Sequence, residues 1–181
     1  MNHAGRTLAL VLTLASSSFA ADKGDPWAPY RFLMGEWEGD GSGQPGKGTG
    51  GFSFAPDLQG KILVRRNRAE FPPSAGRPTA VHEDLMVVYR GEKGEGARAV
   101  YFDSEGHVIH YTPSASDDGR TLTFLSEASP SSPRFRLTYR KEGEKSVHIK
   151  FEMAPPGQPE KFATYLEGKA HRVKEPQPAS R

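Results

Sequence analysis

RFRLTYRKEGEKSVHIKFEMA, Arg134 to Ala154, is the stretch that decides the fold. In its first half Phe135, Leu137 and Tyr139 alternate with Arg134, Arg136, Thr138 and Arg140. In its second half Val147, Ile149, Phe151 and Met153 alternate with His148, Lys150 and Glu152. Successive side chains of a strand point to opposite faces, so each half carries one apolar and one charged face. A sheet that is buried on one face and wet on the other is the habit of antiparallel pairing. The connection EGEK is short, so the two strands are neighbours in space as well as in sequence.

Working outward from this hairpin, the rest of the chain reads in the same way. The preceding strands are GEWEGDGSG, TGGFSFA, KILVRRNRAEF, TAVHEDLMVVYR, ARAVYFD, HVIHYTP and RTLTFLSE, and KFATYLEGKAHRV closes the series. Gly, Pro, Asp and Ser clusters separate them. Ser104, Glu105 and Gly106 form a tight hairpin connection, with the glycine expected in the left-handed region. Helical periodicity is scarce. Only DPWAPYRFLM, Asp25 to Met34, predicts a turn or two of helix, limited by Pro29. About ten meandering strands without a helical layer must protect their edges, and closure into an antiparallel up-and-down barrel does so. A two-layer sandwich is the alternative.

The ends of the chain are read separately. Residues 1–20 carry Arg6, the apolar run TLALVLTLA and the small-residue ending SSSFA. That order is a secretory signal peptide cleaved after Ala20, and the run is too short for a bilayer span of about 20 residues. The protein is therefore expected to be exported, periplasmic or extracellular, with no membrane insertion after cleavage. Residues 21–173 form the barrel domain and residues 174–181, polar and proline-containing, a disordered tail. There is no cysteine, which excludes disulfides, thiolate metal sites and a lipoprotein anchor. The formal net charge is only +2, with basic and acidic residues interspersed, so no nucleic-acid partner is expected.

FLMGEWEGDGSG, Phe32 to Gly43, sets one tryptophan among glycines at alternate positions. Glycine permits the strong curvature of a strand in a small barrel, and it leaves one face open to close approach. Trp37 is then either a plug at one end of the lumen or simply core. Gly35, Trp37, Gly39 and Gly41 resemble the G-x-W-x-G-x-G opening of nitrobindin-like calycin barrels. This opening and the ending YLEGKAHRV are still closer to a related family of uncharacterised secreted bacterial proteins. The resemblance implies a ten-stranded lipocalin-like barrel with a lumen of ligand size. Nitrobindins hold haem through a histidine in a T-H-L-like segment of the last strand. The matching segment here is Thr164-Tyr165-Leu166, with tyrosine at the histidine position. Tyrosine can ligate ferric haem, and His171 lies six residues further on.

Five histidines follow the leader: His82, His107, His110, His148 and His171. His107 and His110 point to opposite faces of one strand, and His110 is the ligand-binding candidate of the two. His148 points to solvent. No metal signature appears, and no metal site is expected. No nucleophile elbow or phosphate loop is present either, so nothing selects a catalytic set. The third and fourth strands carry the most informative polar residues. If Ile62 and Val64 face inward, so do Arg66 and Arg68. If Met86 and Val88 face inward, so do His82 and Asp84. The opposite parity puts Leu63, Arg65, Leu85, Val87 and Tyr89 inside, and LMVVY is apolar on both faces.

Three functions follow. The first is an exported barrel binding a small, mostly apolar molecule, with Arg66 and Arg68 available to an acid group and Asp84 neutralising them when empty. The second is a haem protein or an enzyme using Tyr165, His171 or the polar cluster. The third is a packed, ligand-free module of the cell envelope. The candidate ligand-binding set is Trp37, Arg66, Arg68, His82, Asp84, His110, Tyr165 and His171.

Overall fold

The structure, a computed structural model, describes residues 24–43, 46–73, 76, 78–92 and 95–175. The expected leader and all but the first two residues of the expected tail lie outside them. Alternating apolar positions produce ten strands: β1 Gly35–Gly43, β2 Gly48–Asp57, β3 Ile62–Phe71, β4 Ala80–Arg90, β5 Ala97–Asp103, β6 Val108–Ala115, β7 Thr121–Ser126, β8 Arg134–Gly143, β9 Ser146–Ala154 and β10 Ala163–Lys174. Each strand pairs antiparallel with its neighbours in sequence, and β1 pairs with β10 to close the barrel. The up-and-down barrel is therefore the fold, and the sandwich is excluded. Gly106 has φ 89°, which is the left-handed conformation expected of the β5–β6 turn.

The register sorts every strand into an inner and an outer row. Around the barrel the inner row includes Trp37 opposite Phe52, Phe54 opposite Arg65, Arg65 opposite Met86 and Val88 opposite Ala99. It continues with Tyr101 opposite Ile109, Leu122 opposite Tyr139, Leu137 opposite Phe151 and Ala170 opposite Val147. Arg172 opposite Trp37 completes the ring. The outer row carries charge, with Arg66, Glu83, Arg140 and Lys169 exposed. A membrane-spanning barrel has the reverse arrangement, an apolar outer band around a polar interior. Among the described residues no helix is long and apolar enough to cross a membrane.

One end of the barrel is capped. The residues predicted to form a helical turn make a 3-10 helix, Ala28–Leu33, with Pro29 in its first turn. Its flanking Trp27 donates its indole N–H to the Gly60 carbonyl at 2.7 Å, and Tyr30 packs on Phe124. Trp37 lies beneath this cap, 1% exposed. Its indole N–H donates to the Leu33 carbonyl at 2.8 Å and its ring stacks on Phe52 at 5.7 Å between centroids. Phe52, Phe54, Phe124 and Tyr139 continue the cluster edge to face. Trp37 is thus core and plug at once: it fills the floor of the barrel.

The glycine spacing has a separate cause. A Cβ on Gly39 would collide with the Lys169 carbonyl oxygen of β10. The strands that close the barrel approach so nearly that any side chain there would push the seam apart.

Candidate functional site

The opposite end, where the β1–β2, β3–β4, β5–β6, β7–β8 and β9–β10 connections lie, is built differently. Three kinds of wall meet there. On β10, β1 and β2 the inner row includes Gly168, Gly41, Gly39, Gly50 and Gly48, bordered by Leu166 of β10 and by the buried Phe71 ring of β3, which lies over Gly48. Facing them are Ile109, Phe135 and Phe151, apolar residues that pack on the core yet remain half-buried. Phe135 and Phe151 stack at 5.9 Å. Half-buried aromatic residues on the inner row mark an apolar lining that the chain itself covers only in part.

The third wall is polar and comes from β3, β4 and β5. Arg65 is 5% exposed and donates to Asp84 Oδ1, whose side chain is equally buried. Asn67 donates to Asp84 Oδ2 at 2.9 Å. His82 turns Nε2 toward Asp84 Oδ2 at 3.2 Å and Nδ1 toward Glu105 Oε2 at 2.9 Å. The Tyr101 hydroxyl lies 3.2 Å from His82 Nε2 and donates to Asp103 Oδ2 at 3.4 Å. Asp103 stands directly opposite Asp84 in the β4–β5 register. It accepts backbone N–H groups from Glu105 and His107 and lies 2.9 Å from the His107 ring.

These contacts set the electrostatics. The hydrogen bond to Asp84 raises the His82 pKa; burial opposes this, and the charges of Asp84 and Glu105 add to the rise. Burial alone would lower the Arg65 pKa, but the Asp84 charge and the neighbouring tyrosines outweigh it and hold the guanidinium charged. Burial pushes the Tyr139 phenol up to about 12 and Tyr101 higher still, so both keep their protons. Burial would raise the Asp103 pKa, but the hydrogen bonds from His107 and Glu105 win and lower it. Three buried polar atoms on the inner row, Arg65 Nε, the Tyr139 hydroxyl and Arg172 Nε, have no hydrogen-bond partner among the described residues.

The structure divides the expected ligand-binding set. His82 and Asp84 are on the inner row and touch, and Trp37 lies below them in the floor. Arg66 and Arg68 are not in the lumen: β3 takes the other parity, and both point outward. Arg68 is 55% exposed and pairs with Glu70 and Glu83. The physical reason is the buried Leu63 and the Asp84 carboxylate, which together claim Arg65 for the interior. His110 and His171 lie on the outer row, exposed. Tyr165 falls at a bulge in β10, 38% exposed, with its ring edge-on to Phe151 at 5.9 Å. It lies toward the loop end of β10 rather than in the floor, whereas His171 lies on the outer row.

Sequence reading missed Asn67, Tyr101, Asp103 and Glu105. Only the inward parity of His82 and Asp84 could have pointed to their cross-strand partners. A concavity of about 760 Å³ lies on the outer wall, floored by Gly39, Gly50 and Gly51 and rimmed by Glu38, Arg68, Lys169 and His171. Its polar rim is solvated and holds no buried unpaired group, so the chemistry lies with the inner cluster.

No protein-family model matches the chain, and no curated protein matches it. Solved structures similar to the chain include these two. One is EF1p2_mFAP2b bound to DFHBI, with 11% identity, a TM-score of 0.39, and coverage of 82% of this chain and 99% of that one. The other is the S-type phycobiliprotein lyase CPES from Guillardia theta, with 8% identity, a TM-score of 0.45, and coverage of 88% and 99%.

Proposed function

We propose that this chain is an exported barrel that binds a small, mostly apolar molecule in the loop end of its lumen. The observation that carries this reading is the construction of that end. A run of inner-row glycines bordered by Leu166 and Phe71 shares this end with half-buried Ile109, Phe135 and Phe151. Deeper on the inner row, over the Phe52 ring, Arg65 Nε and the Tyr139 hydroxyl have no hydrogen-bond partner among the described residues. Small-molecule sites combine an apolar lining with a few placed polar groups in this way, and buried unsatisfied donors call for an acceptor.

The head group follows from the charge balance. Asp84 already neutralises Arg65, so an acid would have to enter beside a formed ion pair. A neutral acceptor such as a carbonyl meets the free donors without disturbing it. The molecule is therefore apolar with a carbonyl-like head rather than a free acid. The lumen is read as free of histidine-ligated haem, since the last strand offers no inward histidine.

The test is a fluorescence titration with Nile red, a neutral apolar dye carrying a carbonyl, beside decanoic acid. Saturable one-to-one binding of the dye is expected. Leu166→Trp, which enlarges an inner-row residue of β10, should weaken it at least tenfold while the fold by circular dichroism is kept. Absence of saturable binding, or equal affinity in the variant, removes the ligand-binding reading and leaves a packed envelope module. Tighter binding of decanoate than of the dye overturns the neutral head group alone.

A further inference from the structure

We propose that His82, Asp103 and Glu105 form a binding site for a divalent transition-metal ion of the zinc class at the rim of the polar wall. One ligand atom from each of the three lies within 4.8 Å of the other two. An imidazole with two carboxylates is a donor set that suits zinc. The residues come from β4, the end of β5 and the β5–β6 turn, and the antiparallel β4–β5 register brings them together. No sequence motif announces them, because His82 and Glu105 are separated by the whole β4–β5 hairpin.

Two further observations support an ion there. The first is the orientation of His82. A metal-bound histidine characteristically donates its remaining N–H to a carboxylate, which fixes the ring. His82 Nδ1 faces Glu105 at 2.9 Å, while Nε2 faces Asp84 at 3.2 Å. Asp84 is in turn held by Arg65 and Asn67. The second shell that a metal site needs is thus already assembled from buried residues.

The second is charge. Three carboxylates, Asp84, Asp103 and Glu105, gather around His82 against one guanidinium, Arg65, which is spent on Asp84. Asp103 has a side chain only 6% exposed and no lysine or arginine partner among its contacts. Buried carboxylates require compensation. A dication held among His82, Asp103 and Glu105 supplies the positive charge that no lysine or arginine provides to Asp103. The ion would replace the proton between Nδ1 and Glu105 and keep its remaining coordination positions toward solvent. This site stands apart from the apolar lining, and it holds whether or not the lumen takes a ligand.

Isothermal titration of Zn²⁺ into untagged, chelator-treated protein tests the site. One saturating equivalent is expected. Glu105→Gln, an exposed substitution that spares the fold, and His82→Ala should each weaken binding at least tenfold. Asp84→Asn, which leaves all three ligands in place but changes the carboxylate facing His82 Nε2, should weaken it roughly 10- to 100-fold in protein shown to be folded by circular dichroism. His148→Ala, on the outer face of β9, should leave it unchanged. Co²⁺ should give a visible spectrum that Glu105→Gln alters. No saturable binding by the parent chain, equal affinity in Glu105→Gln, or equal loss in His148→Ala each overturns the proposal. The Nile red titration, repeated with Zn²⁺ absent, reports separately on the lumen.

Discussion

Asp84 is the residue on which the polar wall turns. Its two oxygens receive Arg65, Asn67 and His82, and its side chain is 4% exposed. Its removal leaves the Arg65 charge buried without a counter-ion. Asp84→Ala is therefore expected to destabilise the fold by about 3–5 kcal/mol, the usual cost of breaking one side of a buried pair. Arg65→Met combined with Asp84→Leu should recover most of that loss in urea unfolding, because the desolvation penalty disappears with both charges. A double variant as unstable as the single would show that Asp84 acts through Asn67 and His82 instead. Sequence reading could bring His82 and Asp84 together but not choose their arginine. Leu63 and Val64 are both apolar, and Arg65, Arg66 and Arg68 supply cations to both faces of β3. The choice belongs to a partner on the next strand, which periodicity within one strand does not see.

At the scale of the strand pair, β8 and β9 were legible because each has a single apolar face, and the structure buries Leu137, Tyr139 and Val147 as that pattern requires. Their outer faces hold more than solvated charge. Glu152 is 6% exposed beneath Arg136, which donates to it at 2.7 Å and covers the Phe162 ring at 4.0 Å, while Lys150 lies 3.0 Å away. The hydrogen bond from Arg136 is the main cause of the lowered Glu152 pKa, with burial opposing and Lys150 adding to the depression. A carboxylate depressed in the folded state contributes stability above its unfolded pKa, and that contribution is lost as pH falls through the folded value. Glu152→Gln should therefore cost about 1 kcal/mol at neutral pH, the screening of the half-exposed arginine included. That cost should shrink as pH falls through the acid range. Denaturant unfolding across that range checks the sign: a penalty that grows toward acid would contradict it.

For the molecule as a whole, ten strands and their order could be read from the sequence because every connection is short. Closure was expected from the need to protect the edges, but the register of the seam between β1 and β10 could not be read, since it joins strands far apart in the chain. The fate of residues 1–20 is a question of the same scale. N-terminal sequencing of the protein recovered outside the cytoplasm should begin at Ala21, and an intact leader on soluble cytoplasmic protein would refute export. The seam also governs when the fold can exist. Trp37 on β1 pairs with Arg172 on β10, so the first strand waits for the last before either has both neighbours. Contacts of such separation in sequence are slow to form. Until the final strand emerges, β1 and β9 are bare edges, open to pairing with other chains. A ribosome-bound or C-terminally shortened chain is accordingly not a partial barrel but an unclosed, association-prone sheet. The last dozen residues of the strand series act as the latch that turns it into a closed barrel.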